Sequence, residues 1–132
     1  MITALDTNVL LDVFLPDKMH VENSSARLRN AYDNGALVIC HLVYAELVPQ
    51  FADRKMLDQA LSRLGAQISR IDDDVAFLAG LKWSEYRSAG GSRERIVSDF
   101  VIGAHALIRA DQFLTRDRGF YKSYFPELAQ MS

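Results

Sequence analysis

Four acidic residues lie in apolar settings where a carboxylate is costly: Asp6 in MITALDTNVLL, Glu46 in HLVYAELV, Asp99 in IVSDFVIGAHAL and Asp117 in FLTRDRGF. Each sits at the end of a hydrophobic strand or within an apolar helix, so folding is expected to desolvate it in part unless its charge is offset. No lysine cluster shares these segments. Brought within about 5 Å of one another, each pair would repel by about 3 kcal/mol at an effective dielectric of about 20. A divalent cation removes that repulsion, and an oxygen-only donor set selects Mg²⁺ or Mn²⁺ over zinc. The chemistry expected of such a site is metal-dependent hydrolysis of a phosphodiester, with water as nucleophile and products carrying a 5′-phosphate and a 3′-hydroxyl.

Taken one at a time, three of the four have ordinary structural explanations. Asp6 with Thr7 and Asn8 can cap a helix, Asp117 between Arg116 and Arg118 can turn the chain, and Asp99 can stabilise the positive end of its helix. Glu46 is harder to dismiss, because Leu42, Val43, Leu47 and Val48 leave it little polar face. One shared site accounts for all four more simply than four separate causes.

Neutral neighbours fit the same site. Asn8 follows Asp6 by two residues and Thr115 precedes Asp117 by two, so each can hold an acid or a water in register. Arg93, Arg95, Arg116 and Arg118 flank Asp99 and Asp117 and are the candidate contacts to substrate phosphates. Tyr86, Phe120 and Tyr121 are candidate platforms for stacking bases. His20, His41 and His105 are too scattered for a zinc site, and no phosphate-binding glycine loop or GxSxG elbow is present.

The elements that must position these residues alternate. Ile2 to Leu5 is expected as a buried strand, followed by a helix that Asp6 or Thr7 caps and Pro16 stops. A helix from about His20 to Asp33 ends at Asn34-Gly35, and Ala36 to Cys40 is an uninterrupted apolar strand. Helices over Leu42–Gln50 and Arg54–Leu64, a strand over Gln67–Ile71 and a helix from Asp73 to about Ser88 follow. After the Gly90-Gly91-Ser92 break come a helix over Val97–Arg109 and a strand over Gln112–Thr115; Glu127 to Met131 either adds an edge strand or tucks in. This order predicts an α/β fold with a central parallel sheet, whose ligands belong at the carboxyl ends of the strands.

Global composition bounds these expectations. With 132 residues and 49% hydrophobic content, one domain spanning 1–132 is expected. Fifteen Lys+Arg against 17 Asp+Glu give the whole molecule no general attraction for polyanions, so any nucleic-acid contact must be local. A lone cysteine, Cys40, excludes an internal disulfide. The N-terminal apolar run lacks a basic flank and is broken by Asp6, Asn8 and Asp12, unlike a signal peptide or a membrane span, so a cytoplasmic location is expected.

The DTN opening, the isolated glutamate after the second strand, SDFVIGAHAL and LTRDRGFY together resemble the PIN-domain family, and within it the VapC-type toxins of toxin–antitoxin pairs. The resemblance spans essentially the whole chain. It implies a three-layer α/β/α sandwich, Mg²⁺- or Mn²⁺-dependent endoribonuclease activity on RNA, a homodimer and a cognate antitoxin. By position, Asp6, Glu46, Asp99 and Asp117 match the family's acidic quartet, and Asn8 and Thr115 its accessory polar positions. An aspartyl-nucleophile phosphotransferase would want a second acid where Asn8 stands; a non-catalytic binding module remains as the alternative. The apolar content between Leu42 and Leu64 exceeds what two short helices need against a core, so part of it is expected to form a homodimer interface or an antitoxin groove.

Overall fold

A computed structural model describes residues 1–92 and 97–128 of the chain. Four strands, β1 (Ile2–Leu5), β2 (Ala36–Ile39), β3 (Ala66–Ile68) and β4 (Gln112–Leu114), form one parallel sheet in the order β3-β2-β1-β4. In the centre, Ala4 pairs with Val38 on one side and Phe113 on the other. Consecutive buried residues in β1, β2 and β4, rather than alternating ones, show that both faces of the sheet are covered. The covering helices are α1 (Thr7–Phe14), α2 (Val21–Asp33), α3 (His41–Leu47), α4 (Arg54–Leu64), α5 (Asp73–Ser88), α6 (Val97–Arg109) and α7 (Arg118–Tyr124). The result is the expected α/β/α sandwich.

Strand order fixes where a ligand belongs. The chain steps from β1 to β2 to β3 in one direction, then returns across the sheet to place β4 on the far side of β1. Right-handed crossovers put the connecting helices of these two runs on opposite faces, and the reversal opens a crevice at the carboxyl ends of β1 and β4. Asp6 and Thr115 follow those two ends directly.

Several boundaries differ from the sequence expectations for identifiable reasons. Helix α3 stops at Leu47 and continues as a 3-10 turn over Val48–Gln50, because Pro49 has no N–H to extend an α-helical ladder. Strand β3 was expected over Gln67–Ile71 but spans Ala66–Ile68. It is an edge strand whose only neighbour among the described residues, β2, ends at Ile39; Ser69 N–H donates to the Ile39 carbonyl at 2.8 Å and the pairing stops there. Helix α7 was not anticipated at all. Leu128 is buried and its N–H bonds the Phe125 carbonyl at 3.0 Å, so the described part of the tail tucks in; residues 129–132 lie outside the described residues.

The segment from Leu42 to Leu64 divides in two. Val43, Leu47, Leu57 and Leu61 are in the core, whereas Val48 and Met56 are about half exposed, at 49% and 51%. Val48, but not Met56, lines a groove of about 420 Å³ together with Tyr44, Phe51, Leu57 and the start of α4. Among the described residues, no helix is long and apolar enough to cross a membrane.

Candidate active site

Asp6 is fixed at the rim by its own backbone. Its N–H donates to the Leu114 carbonyl at 2.9 Å, which continues the β1–β4 ladder one residue beyond the strand. The residue is extended and caps α1: one carboxylate oxygen accepts the Thr7 N–H at 2.8 Å. The other accepts the Thr115 hydroxyl at 2.7 Å. Thr115 Oγ1 in turn accepts the Asp117 N–H at 2.9 Å. One buried hydroxyl therefore ties the carboxylate after β1 to the loop that carries Asp117.

Glu46 reaches the same rim by a different route. The Thr7 hydroxyl donates to Glu46 Oε1 at 2.7 Å, joining α3 to the first turn of α1. Contrary to the sequence expectation, Glu46 is exposed. Val43 and Leu47 occupy the buried side of α3, which leaves Glu46 on the outer side, where its bond to Thr7 brings it to the rim. Asp99 is half-buried in the first turn of α6.

Electrostatics link three of these acids. Burial pushes the Asp6 carboxyl up from 3.8 to about 6, against the opposing hydrogen bonds from Thr115 and Thr7, and the charges of Glu46 and Asp99 raise it further. Among the described residues, no three Asp, Glu, His or Cys side chains already form a cage for an ion. The donor set nevertheless fits a hard divalent cation. It consists of carboxylate and hydroxyl oxygens, its central member is desolvated, and the neighbours acting on that member's charge are two more carboxylates. Asp6, Glu46 and Asp99, with Asp117 adjoining through Thr115, are the residues that would hold it.

The other sequence candidates separate. Asn8 Oδ1 accepts the Arg116 N–H at 3.2 Å, so it orders the loop leaving β4. Arg116, expected to contact substrate, spends its guanidinium on Asp12: Nε donates to one carboxylate oxygen at 2.7 Å and Nη2 to the other at 3.0 Å. The buried Asp12 also accepts the Ser24 hydroxyl at 2.6 Å. Arg118 is exposed at the start of α7; Arg93 and Arg95 lie outside the described residues. Tyr86, Phe120 and Tyr121 are 5%, 8% and 1% exposed. They pack with Phe100 and Tyr124 in an aromatic cluster of edge-to-face and tilted ring pairs and cannot serve as stacking platforms.

Sequence reasoning overlooked Thr7 beyond its capping role, and it overlooked Asp12. The signal for Asp12 was present: an acid flanked by Leu10, Leu11, Val13 and Phe14 has as little polar surroundings as Glu46, and it is the one that is buried.

The PIN domain profile matches residues 3–126. The chain belongs to the PIN domain family. Among solved structures, this PIN domain is similar to VapBC2 from Rickettsia felis bound to a DNA fragment from their promoter, with 21% identity and a TM-score of 0.75 over 99% of this chain and 98% of that one. It is also similar to VapBC-1 from nontypeable Haemophilus influenzae, at 18% identity and a TM-score of 0.74 over 100% and 98% of the two chains. A toxin–antitoxin complex from Klebsiella pneumoniae gives 19% identity and a TM-score of 0.67 over 96% and 95%. No curated protein matches the sequence significantly. At these identities the structures show a shared fold.

Proposed function

We propose that this PIN domain is a Mg²⁺- or Mn²⁺-dependent endoribonuclease, working in the cytoplasm as the toxin of a VapBC-type pair. The observation that carries the reading is the buried Asp6 carboxyl at the β1–β4 switch point, its proton affinity raised by burial and by the charges of Glu46 and Asp99. A divalent ion held by Asp6, Glu46 and Asp99, with Asp117 beside them, would supply Lewis acidity and offset the charge of the scissile phosphate. The chain's own contribution is positional. Thr115 holds Asp6 and the Asp117 backbone in one register, Thr7 holds Glu46, and Asn8 holds the loop between them. Water is the nucleophile, so products with 5′-phosphate and 3′-hydroxyl ends are expected.

The antitoxin reading rests on the company this fold keeps, since the similar solved structures are toxin–antitoxin complexes. The groove lined by the exposed Val48, together with the exposed Met56 of α4, is the candidate docking surface, and the same surface is the candidate for homodimer formation. The test is incubation of the purified chain with a mixed RNA pool in Mn²⁺, with EDTA and Asp99→Asn as controls and with mapping of product ends. Discrete 5′-phosphorylated fragments, lost in both controls, are expected. Cleavage that survives either control would contradict the proposal, and no cleavage at all would favour a non-catalytic binding module.

A further inference from the structure

We propose that the cleft between the start of α2 and the loop from β4 to α7 is a second subsite, holding a backbone phosphate of the RNA strand next to the acid rim. The inference rests on the ribonuclease reading and adds where the strand runs. The cleft encloses about 290 Å³ and is lined by His20, Asn23, Ser24, Arg27, Arg116 and Arg118. Three arginines thus converge from two segments about 90 residues apart, with no carboxylate in the lining, in a molecule whose net charge is −2. That concentration is local and built by the fold.

Two of the lining residues, Ser24 and Arg116, are anchored from behind the cleft by Asp12, which is not itself in the lining. Asp12 and Ser24 are both 2% exposed, and Asp12 grips Arg116 through two nitrogens while accepting the Ser24 hydroxyl. A guanidinium carries five N–H donors, so Arg116 retains others for an anion while its orientation is set. Because Asp12 cancels the Arg116 charge, the excess positive charge comes from Arg27 and Arg118, neither of which has an ion-pair partner among the described residues. His20 caps α2 without a side-chain hydrogen bond to it, and the N-terminal end of this 13-residue helix adds a favourable dipole.

The cleft adjoins the acid site through four consecutive residues. Thr115 bonds Asp6, Arg116 and Arg118 line the cleft, and Asp117 lies between them. A strand with one phosphate at the rim can place a neighbouring phosphate in the cleft. The lining holds no Phe, Tyr or Trp, and its one ring is the His20 imidazole among three arginines, so this subsite chiefly holds backbone, and most base preference is expected to arise elsewhere.

Binding of a labelled single-stranded oligoribonucleotide, followed by fluorescence anisotropy in EDTA so that the strand stays intact, tests the inference. Arg27→Ala and Arg118→Ala are each expected to weaken binding by about fivefold and to lower the slope of log affinity against log salt by about 0.7. Arg27→Lys should recover part of the loss. Mn²⁺ should raise the melting temperature of Arg27→Ala as much as that of wild type, which shows that the acid rim is intact. Wild-type affinity and slope in both alanine variants would overturn the subsite while leaving the ribonuclease reading standing. A wild-type chain that neither binds nor cuts RNA would overturn both. If inorganic phosphate stabilises wild type but not Arg27→Ala while their RNA affinities agree, the cleft takes free phosphate and the strand assignment falls.

Discussion

Asp6 and His105 are both buried titratable groups, and burial moves them in opposite directions. Asp6 rises from 3.8 to about 6. The folded protein then binds a proton more tightly than the unfolded chain, so the metal-free fold gains stability as pH falls from about 6 towards 4, and above 6 it carries a penalty of about 3 kcal/mol. His105 falls from 6.5 to about 4, through burial and then the charge of His41, and its Nε2 has no hydrogen-bond partner among the described residues. The unfolded chain protonates first, so stability drops as pH falls from 6.5 towards 4. In the metal-free protein the two effects oppose each other over one window. Asp6→Asn should therefore raise stability at pH 7.5 by about 1–3 kcal/mol and expose a steep acid loss between pH 6.5 and 4 that wild type shows only weakly. Urea unfolding across that range checks both, and equal pH profiles would refute the assignment. The candidate role of Asp6 could be seen in the sequence only together with the other acids, because an acid directly after a buried strand also serves as a helix cap, as Asp6 does here. The burial of Asp12 and the exposure of Glu46 could not be ranked, since the two sit in equally apolar strings and only the direction of each helix face distinguishes them.

At the scale of elements, α1 and the β4–α7 loop are joined twice, by Asn8 to the Arg116 backbone and by Asp12 to its guanidinium. Arg116→Met keeps the side-chain length but leaves Asp12 buried and unpaired, and should cost about 3 kcal/mol. The double variant Asp12→Asn/Arg116→Met should recover part of that loss, and a chemical-denaturation double-mutant cycle measures how much. Helix α6 has a tight contact of its own. A Cβ on Gly103 would meet the Phe125 ring at 2.8 Å and the Tyr121 ring at 3.0 Å, so Gly103→Ala should destabilise by about 1–3 kcal/mol through overpacking. The alternation of strands and helices was readable because apolar runs of four residues and longer amphipathic stretches differ in period. Helix α7 was not, because Arg116, Asp117, Arg118 and Gly119 look like a turn until Phe120, Tyr121 and Phe125 are seen filling the space against Phe100 and Phe113. The same packing removed the three aromatic residues that had been candidates for stacking on bases.

For the whole molecule, a net charge of −2 means that the proposed RNA binding must rest on local contacts rather than a general attraction. Two or three phosphate contacts predict a shallow salt dependence, with a slope of about −1.4 to −2 for a single strand. A much steeper slope would point to a broader basic surface than the one described. The exposed Val48 and Met56 are the proposed counterpart for protein partners. Met56→Lys should leave the melting temperature within about 2 °C while weakening self-association or antitoxin capture, which sedimentation and pull-down measure. Carboxylates from four separate chain segments are proposed to serve one ion. Calorimetric titration of Mn²⁺ into wild type and into Asp6→Asn, Glu46→Gln, Asp99→Asn and Asp117→Asn tests this most directly. Binding is expected to be at least tenfold weaker in the first three variants and measurably weaker in the fourth; four variants that bind Mn²⁺ as wild type does would contradict a shared ion.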